Sequence, residues 1–256
     1  MRTDLHIHTR FSSDSEADMQ ACCEAAVERG LSHICFTDHL EHNPHDGGTG
    51  YYRPEAYFNE VRRLQQAYKD KITVLTGVEF AEPHLYRAAL AQTLAQDYDL
   101  VLGSVHWIDD MAPYEPERMT YSTEKMFQRY WEEMERAVET GGFQVLSHMD
   151  FPKRYCKQCF YEEDTILRIL KKAVQRGIVM EINASTLRQG FDEPMPSEAF
   201  VALYQEAGGA WVSIGSDSHY EAHVGADVDR AAALADRYGL RPCWFSQKKA
   251  IPGAWG

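Results

Sequence analysis

Residues 3–8 read Thr-Asp-Leu-His-Ile-His. Apolar Leu5 and Ile7 alternate with His6 and His8, the period of a β-strand. Residues two apart on a strand face the same side, so both imidazoles point one way. This predicts a strand over 2–7 that ends in a histidine pair. Six more segments repeat the arrangement, with strands predicted over 32–38, 72–80, 99–106, 143–148, 178–183 and 211–216. Helical stretches separate them: 16–29, 54–70, the residues after Pro83, 123–139, 162–176, 197–207 and a last one through 230–238. Gly30 stops the first helix and Pro54 suits the start of the second. The strands are short and largely apolar, as buried parallel strands tend to be. Seven such alternations with short connections predict an α/β fold, one (β/α) barrel over residues 1–256 in preference to a doubly wound sheet. The tail from Gly239 carries no strong pattern.

The ends of these strands carry the chemistry. They bring His6 and His8, Asp38 and His39, Glu79, His106, His148, Glu181 and Asn183, and Asp217 with His219. In parallel α/β folds the carboxyl ends of the strands converge on one face, where active sites sit. Six of the eleven histidines occupy these positions. With Asp14, nine donors are available: His6, His8, Asp14, His39, Glu79, His106, His148, Asp217 and His219. Nine ligands exceed what one four-coordinate ion can use and crowd two. Three ions sharing a bridging carboxylate would accommodate them. Mixed imidazole and carboxylate ligation suits Zn, Mn or Fe and disfavours Ca or Mg. Glu16 and Asp18 fall within the predicted helix and are poorer donors.

Composition narrows the function classes. The chain has 26 basic and 39 acidic residues, a net charge of −13. That argues against a nucleic-acid partner, which needs a positive field. No apolar run approaches the ~18 residues of a membrane span, so no membrane partner is expected. No apolar signal region precedes the first strand, and six cysteines fit reduced thiols, so a cytoplasmic protein is expected. Cys156-Lys157-Gln158-Cys159 lacks the second C-x-x-C of a zinc ribbon and reads as two reduced loop thiols. The sequence leaves the oligomeric state open.

The ordered set D-L-H-I-H-T, F-T-D-H, G-V-E-F, G-S-V-H, L-S-H-M-D and S-D-S-H resembles the PHP (polymerase and histidinol phosphatase) superfamily. The resemblance spans residues 4 to 219. The F-P-K-R-Y and S-T-L-R-Q-G stretches resemble its histidinol-phosphatase branch. It implies a distorted seven-stranded (β/α) TIM-like barrel with a trinuclear metal site. By resemblance, His6, His8, Glu79 and Asp217 hold one ion. Glu79 bridges to a second, with His106 and His148. Asp14, His39 and His219 hold the third. The implied activity is hydrolysis of L-histidinol phosphate to L-histidinol and phosphate, in histidine biosynthesis. A metal-bridging hydroxide would attack phosphorus, with Glu79, Asp217 and His219 at the reacting centre. The other enzymatic reading is a PHP phosphoesterase acting on a different phosphomonoester or a nucleotide. A non-catalytic metal-binding module is disfavoured, because every ligand position is filled.

A monoester dianion also calls for cationic clamps. Arg154 and Arg188 follow the fifth and sixth predicted strands, and the guanidinium fork fits phosphate oxygens. Lys153, His42, Arg53 and His84 are weaker candidates for substrate contacts. Glu115, Trp107 and Tyr114 in the long fourth loop are candidates for the pocket of the leaving alcohol.

Overall fold

The computed structural model describes residues 1–253 and Trp255. The strands are β1 Thr3–Ile7, β2 His33–Phe36, β3 His39–Leu40, β4 Thr73–Ala81, β5 Leu100–Ser104, β6 Val145–Leu146, β7 Val179–Asn183, β8 Trp211–Gly215, β9 Arg241–Ser246 and β10 Lys249–Pro252. The helices are α1 Met19–Glu28, α2 Pro54–Tyr68, α3 Arg87–Leu94, α4 Thr123–Thr140, α5 Lys153–Cys156, α6 Glu163–Gln175, α7 Ser185–Arg188, α8 Glu198–Glu206 and α9 Val228–Arg237. Among the described residues, the sheet order is β1-β2-β4-β5-β6-β7-β8-β9-β10, with β3 paired to β4. Every pairing is parallel except β9–β10.

The first strand, β1, meets the segment past β8 at its carboxyl end. A parallel bridge joins Ile7 to Ser218, and the His8 N–H donates to the Ser218 carbonyl at 2.8 Å. The buried Asp4 carboxylate accepts from the Ser216 N–H (2.8 Å), the Ser216 hydroxyl (2.6 Å) and the Gly225 N–H (2.7 Å). This is the TIM-like barrel expected, with β8 split between two neighbours: its start pairs with β9 and the residues past its end meet β1.

Inside the ring the strands alternate. Leu5, Cys35, Leu75, Leu100, Leu102, Val145, Val179, Cys243 and Phe245 form one buried apolar cluster. Their neighbours Ile34, Val74, Val101, Leu146, Met180 and Val212 belong to the larger cluster under the helices. That is the period-two division between a barrel's lumen and its helical shell. α4 and α6 each present one apolar stripe to this shell, Phe127, Tyr130, Trp131 and Met134 from one, Ile166, Ile169 and Leu170 from the other.

Four local readings differ. The segment 32–38 is a strand only over His33–Phe36, with the short β3 following it at His39–Leu40, and 143–148 pairs only over Val145–Leu146. α1 starts at Met19, with Asp18 as its N-cap accepting from the Gln20 and Ala21 N–H groups, so Glu16 lies before the helix. The tail is not patternless. Arg241–Ser246 pairs in parallel with β8 and returns as a hairpin. Pro242 masked that strand; it is accommodated near the strand's start. Residues 254 and 256 of the tail lie outside the described residues. No helix among the described residues is long and apolar enough to cross a membrane.

Candidate metal centre

The strand ends deliver their donors to one place. His6 and His8 leave β1 with their Nε2 atoms 3.0 Å apart. Glu79 Oε2, from β4, lies 3.2 Å from His6 Nε2 and 3.4 Å from His8 Nε2. Asp217 Oδ1, past β8, lies 3.8 Å and 3.4 Å from the same two nitrogens. Ligands about 2.0–2.1 Å from a common tetrahedral centre sit about 3.3 Å from one another. These four atoms therefore have the spacing of one coordination shell. Asp217 adopts a left-handed backbone (φ 51°), an uncommon conformation that turns its carboxylate inward.

Glu79 faces other imidazoles as well. His148 Nε2 lies 2.8 Å from Glu79 Oε1 and His106 Nε2 lies 3.4 Å from it. His39 Nδ1 is 3.1 Å from Glu79 Oε2, yet it is buried without a hydrogen-bond partner. Close approach without hydrogen-bond alignment is what two ligands of one ion show. The ligand atoms of His39, Glu79 and His106 form one group and those of His6, Glu79 and His148 another. His106 and His148 nevertheless share Glu79 Oε1, and each also lies near a different histidine. At the outer edge, Asp14 Oδ2 lies 3.1 Å from His219 Nε2 and 3.5 Å from His39 Nε2. The rings of His39 and His219 each stand 4.2 Å from that of His8. All nine predicted donors are thus brought together, with Asp14 half exposed and Glu79 fully buried.

The electrostatics fit the same conclusion. Burial pushes the Glu79 carboxyl up, but the imidazoles of His6, His39 and His106 outweigh it and hold Glu79 well below the carboxylate range. Burial would lower His6, His39 and His106, yet the surrounding carboxylates raise all three. His8 goes the other way, lowered by burial and by His219 and His39. A cluster of buried carboxylates demands cationic partners.

A layer of polar groups aims these donors. Glu181 lies 2.7 Å from His6 Nδ1 and accepts the His148 N–H at 2.8 Å. Glu41 Oε1 lies 3.1 Å from His106 Nδ1. Both repeat the carboxylate–histidine pairing that orients metal ligands. Ser104 donates to Glu79 Oε1 at 2.5 Å. Asp38, pushed up to about 6 by burial, accepts from the Thr9 N–H and the Ser12 hydroxyl. Glu82, pushed up to about 8 by burial and then by Glu41, accepts the His106 and Trp107 N–H groups. Sequence reasoning missed Glu41, although it stands two residues after His39, the same-side spacing as His6 and His8. Gly215 permits the packing: a Cβ there would meet His6 Cβ at 2.4 Å and Glu181 Oε1 at 2.6 Å.

Above the donors opens a cavity of about 430 Å³. Trp107, Tyr114 and Glu115 line it, as do His45 and Asp46, which sequence reasoning passed over. Arg154 reaches it from α5 and contacts Asp217 Oδ2 and Ser185 Oγ, each at 2.5 Å. A second cavity of about 360 Å³ holds Arg188 and shares Asp14, Arg154, Asp217 and His219 with the first. Four weaker candidates line neither cavity. Lys153 turns to Asp150 and Glu193. His84 pairs with Glu133 of α4 at 2.7 Å. His42 packs against the rings of Phe80 and Tyr86, and Arg53 lies over those of Phe11 and Tyr51. Cys156 and Cys159 are free thiols.

A TIM-like barrel with imidazoles and carboxylates gathered at its carboxyl rim defines a class of metal-dependent barrel proteins. The PHP domain model matches residues 4–185, and the chain belongs to that family. It is 30% identical over 256 residues to a probable histidinol-phosphatase of Clostridium acetobutylicum, covering 96% of this chain and 97% of that one. It is 28% identical to the histidinol-phosphatase of Lactococcus lactis, covering 93% and 92%. Among solved structures it is similar to the Lactococcus lactis histidinol phosphate phosphatase complexed with zinc, L-histidinol and phosphate. The TM-score there is 0.86, at 24% identity, over 98% of each chain.

Proposed function

We propose that this chain is a metal-dependent phosphomonoesterase that hydrolyses L-histidinol phosphate to L-histidinol and phosphate, a step of histidine biosynthesis. The observation that carries the reading is a two-ended site. At one end Arg154 Nε and Arg188 Nη1 are buried donors without a hydrogen-bond partner, beside the donor cluster. Unpartnered buried guanidinium N–H groups suit an anion with several oxygens. At the other end the wall is acidic and aromatic: Glu41, Asp46 and Glu115 with Trp107 and Tyr114. A phosphate ester of a cationic alcohol matches both ends, and L-histidinol carries an ammonium and an imidazole. The relatives' printed names support the same substrate.

His6, His8, Glu79 and Asp217 would hold one divalent ion. Glu79 with His106 and His148 would hold a second, and Asp14, His39 and His219 a third; zinc, manganese or iron suits such donors. When bound, these cations supply a water whose ionisation falls near neutrality and positive charge beside the phosphoryl oxygens. Arg154 and Arg188 bind the remaining phosphoryl oxygens and orient the ester. Glu181 fixes the tautomer and plane of His6, and Glu41 those of His106. Asp46, held by the Trp107 Nε1–H (2.9 Å) and the Tyr114 hydroxyl (3.1 Å), faces the cationic alcohol. The six free thiols suit the reducing cytoplasm.

The test is phosphate release from L-histidinol phosphate beside other monoesters and a dinucleotide, on protein of measured metal content. The expected result is selectivity for L-histidinol phosphate, abolished by chelation and restored by Mn or Zn. Preference for another ester would keep the metal chemistry and move the substrate. Silence on every ester from metal-loaded protein would overturn the reading.

A further inference from the structure

Lys153 precedes Arg154 in the chain but takes a different direction. Its side chain is 7% exposed. Its ammonium forms an ion pair with Asp150 Oδ2 at 2.9 Å and donates to Glu193 Oε1 at 3.3 Å and to the Pro194 carbonyl at 3.1 Å. A lysine ammonium has three protons, and the three oxygens gathered around it here are all internal to the protein.

Those acceptors lie on two separate segments. Asp150 belongs to the turn between β6 and α5, and it also accepts the Ser197 N–H at 3.0 Å. Glu193 and Pro194 follow α7, the helix that ends in Arg188. The Glu193 carbonyl accepts the Thr186 hydroxyl of α7 at 2.8 Å, and Glu193 Oε2 accepts the Glu198 N–H at the start of α8 at 3.0 Å. Arg154 makes its own link to α7 through Ser185. The helix of Arg154 and the helix of Arg188 are therefore stitched together through buried Lys153.

We propose that Lys153 is a positioning residue: its ionic clamp to Asp150 and Glu193 sets the spacing of Arg154 and Arg188 and thereby the affinity for a phosphoryl group. The inference rests on the reading of these arginines as phosphate binders. Direct phosphate binding by Lys153 makes the opposite prediction for Glu193. Removing that carboxylate would then free the ammonium and tighten phosphate binding, whereas loss of the clamp loosens it.

The experiment measures inhibition of the metal-loaded enzyme by inorganic phosphate, with KM and kcat for L-histidinol phosphate, metal content and melting temperature. Glu193→Ala is the main variant, because Glu193 is 40% exposed and its loss leaves the core intact. Lys153→Met is the second. In both, the phosphate inhibition constant and KM rise on the order of tenfold, kcat changes less, and metal content stays unchanged. An unchanged or tighter inhibition constant in Glu193→Ala overturns the proposal. So does a lowered melting temperature with phosphate affinity intact, which would mark a structural role only. If the wild-type enzyme hydrolyses no phosphomonoester at all, the phosphatase reading falls and takes this one with it.

Discussion

The floor and the rim of the barrel are built on the same strands. On β5, inward-facing Leu100 and Leu102 lead up to Ser104, and the column continues to His106. On β4, Leu75 leads to Gly77 and Glu79. On β7, Val179 leads to Glu181 and Asn183. Both levels are buried, and two to four residues along a strand separate alkyl from ionisable. The floor is where stability arises: a fully buried leucine contributes about 1.5–3 kcal/mol. The rim opposes it, because buried carboxylates and imidazoles lose hydration and regain it only from exact partners or cations. The contrast shows how a rigid apolar plug holds donors from distant segments in one cluster that would otherwise spread apart.

Substitutions at the two levels should therefore separate activity from stability. The largest effect is expected for Glu79→Gln, which removes the charge shared among His6, His39, His106 and His148. kcat/KM should fall at least about 10³-fold, equivalent to about 4 kcal/mol, with bound metal reduced. Near-normal turnover at full metal content would break the rim's assignment.

Leu102→Ala should do the converse. It should cost about 2–5 kcal/mol in denaturant unfolding. Below the unfolding transition, kcat/KM should stay within about twofold of wild type. A matching loss of activity would show that floor and rim are not separable.

Gly215→Ala tests the seam between them. Its Cβ crowds His6 and Glu181, so about 1–3 kcal/mol of stability and about tenfold in activity should both go. A loss in only one would move this glycine wholly to one level.

The smallest effect lies outside both levels. Hydrogen bonds from Arg168, with help from Lys172, hold Glu135 down at about 2, against an ordinary 4.5. A depressed carboxyl contributes stability above its unfolded value and loses it as the pH falls through the folded one. The pair is largely solvated, so Glu135→Gln should cost under about 1 kcal/mol at pH 7. Urea midpoints should show that gap shrinking between pH 5 and pH 3. A gap that grows on acidification would reverse the sign of the pair's contribution.

Much of the rim was legible in the sequence because its donors obey the period of the strands that carry them. His6 and His8, or Asp217 and His219, announce a shared side by spacing alone. The barrel was legible for the same reason, since short apolar strands alternate with helices that carry an apolar stripe. Other features left weaker signals. β9 hides behind Pro242, and its pairing with β8 is a contact between segments about thirty residues apart. Glu41 repeats the same-side spacing, but only the approach of His106 gives it a task. Lys153 and Arg154 are adjacent basic residues in sequence, yet one is sealed against Asp150 and Glu193 while the other enters the cavity.

The sequence by itself determined which residues line up along each strand and which strand ends bear metal-ligating groups. Those are consequences of local backbone geometry, which repeats every two residues. Only the tertiary structure decided which nitrogen faces which carboxylate, how His106 and His148 come to share Glu79 Oε1, and which cations are spent on internal acceptors. Each of those outcomes depends on a partner contributed by a distant segment, and the energy of a buried polar group is set by that partner.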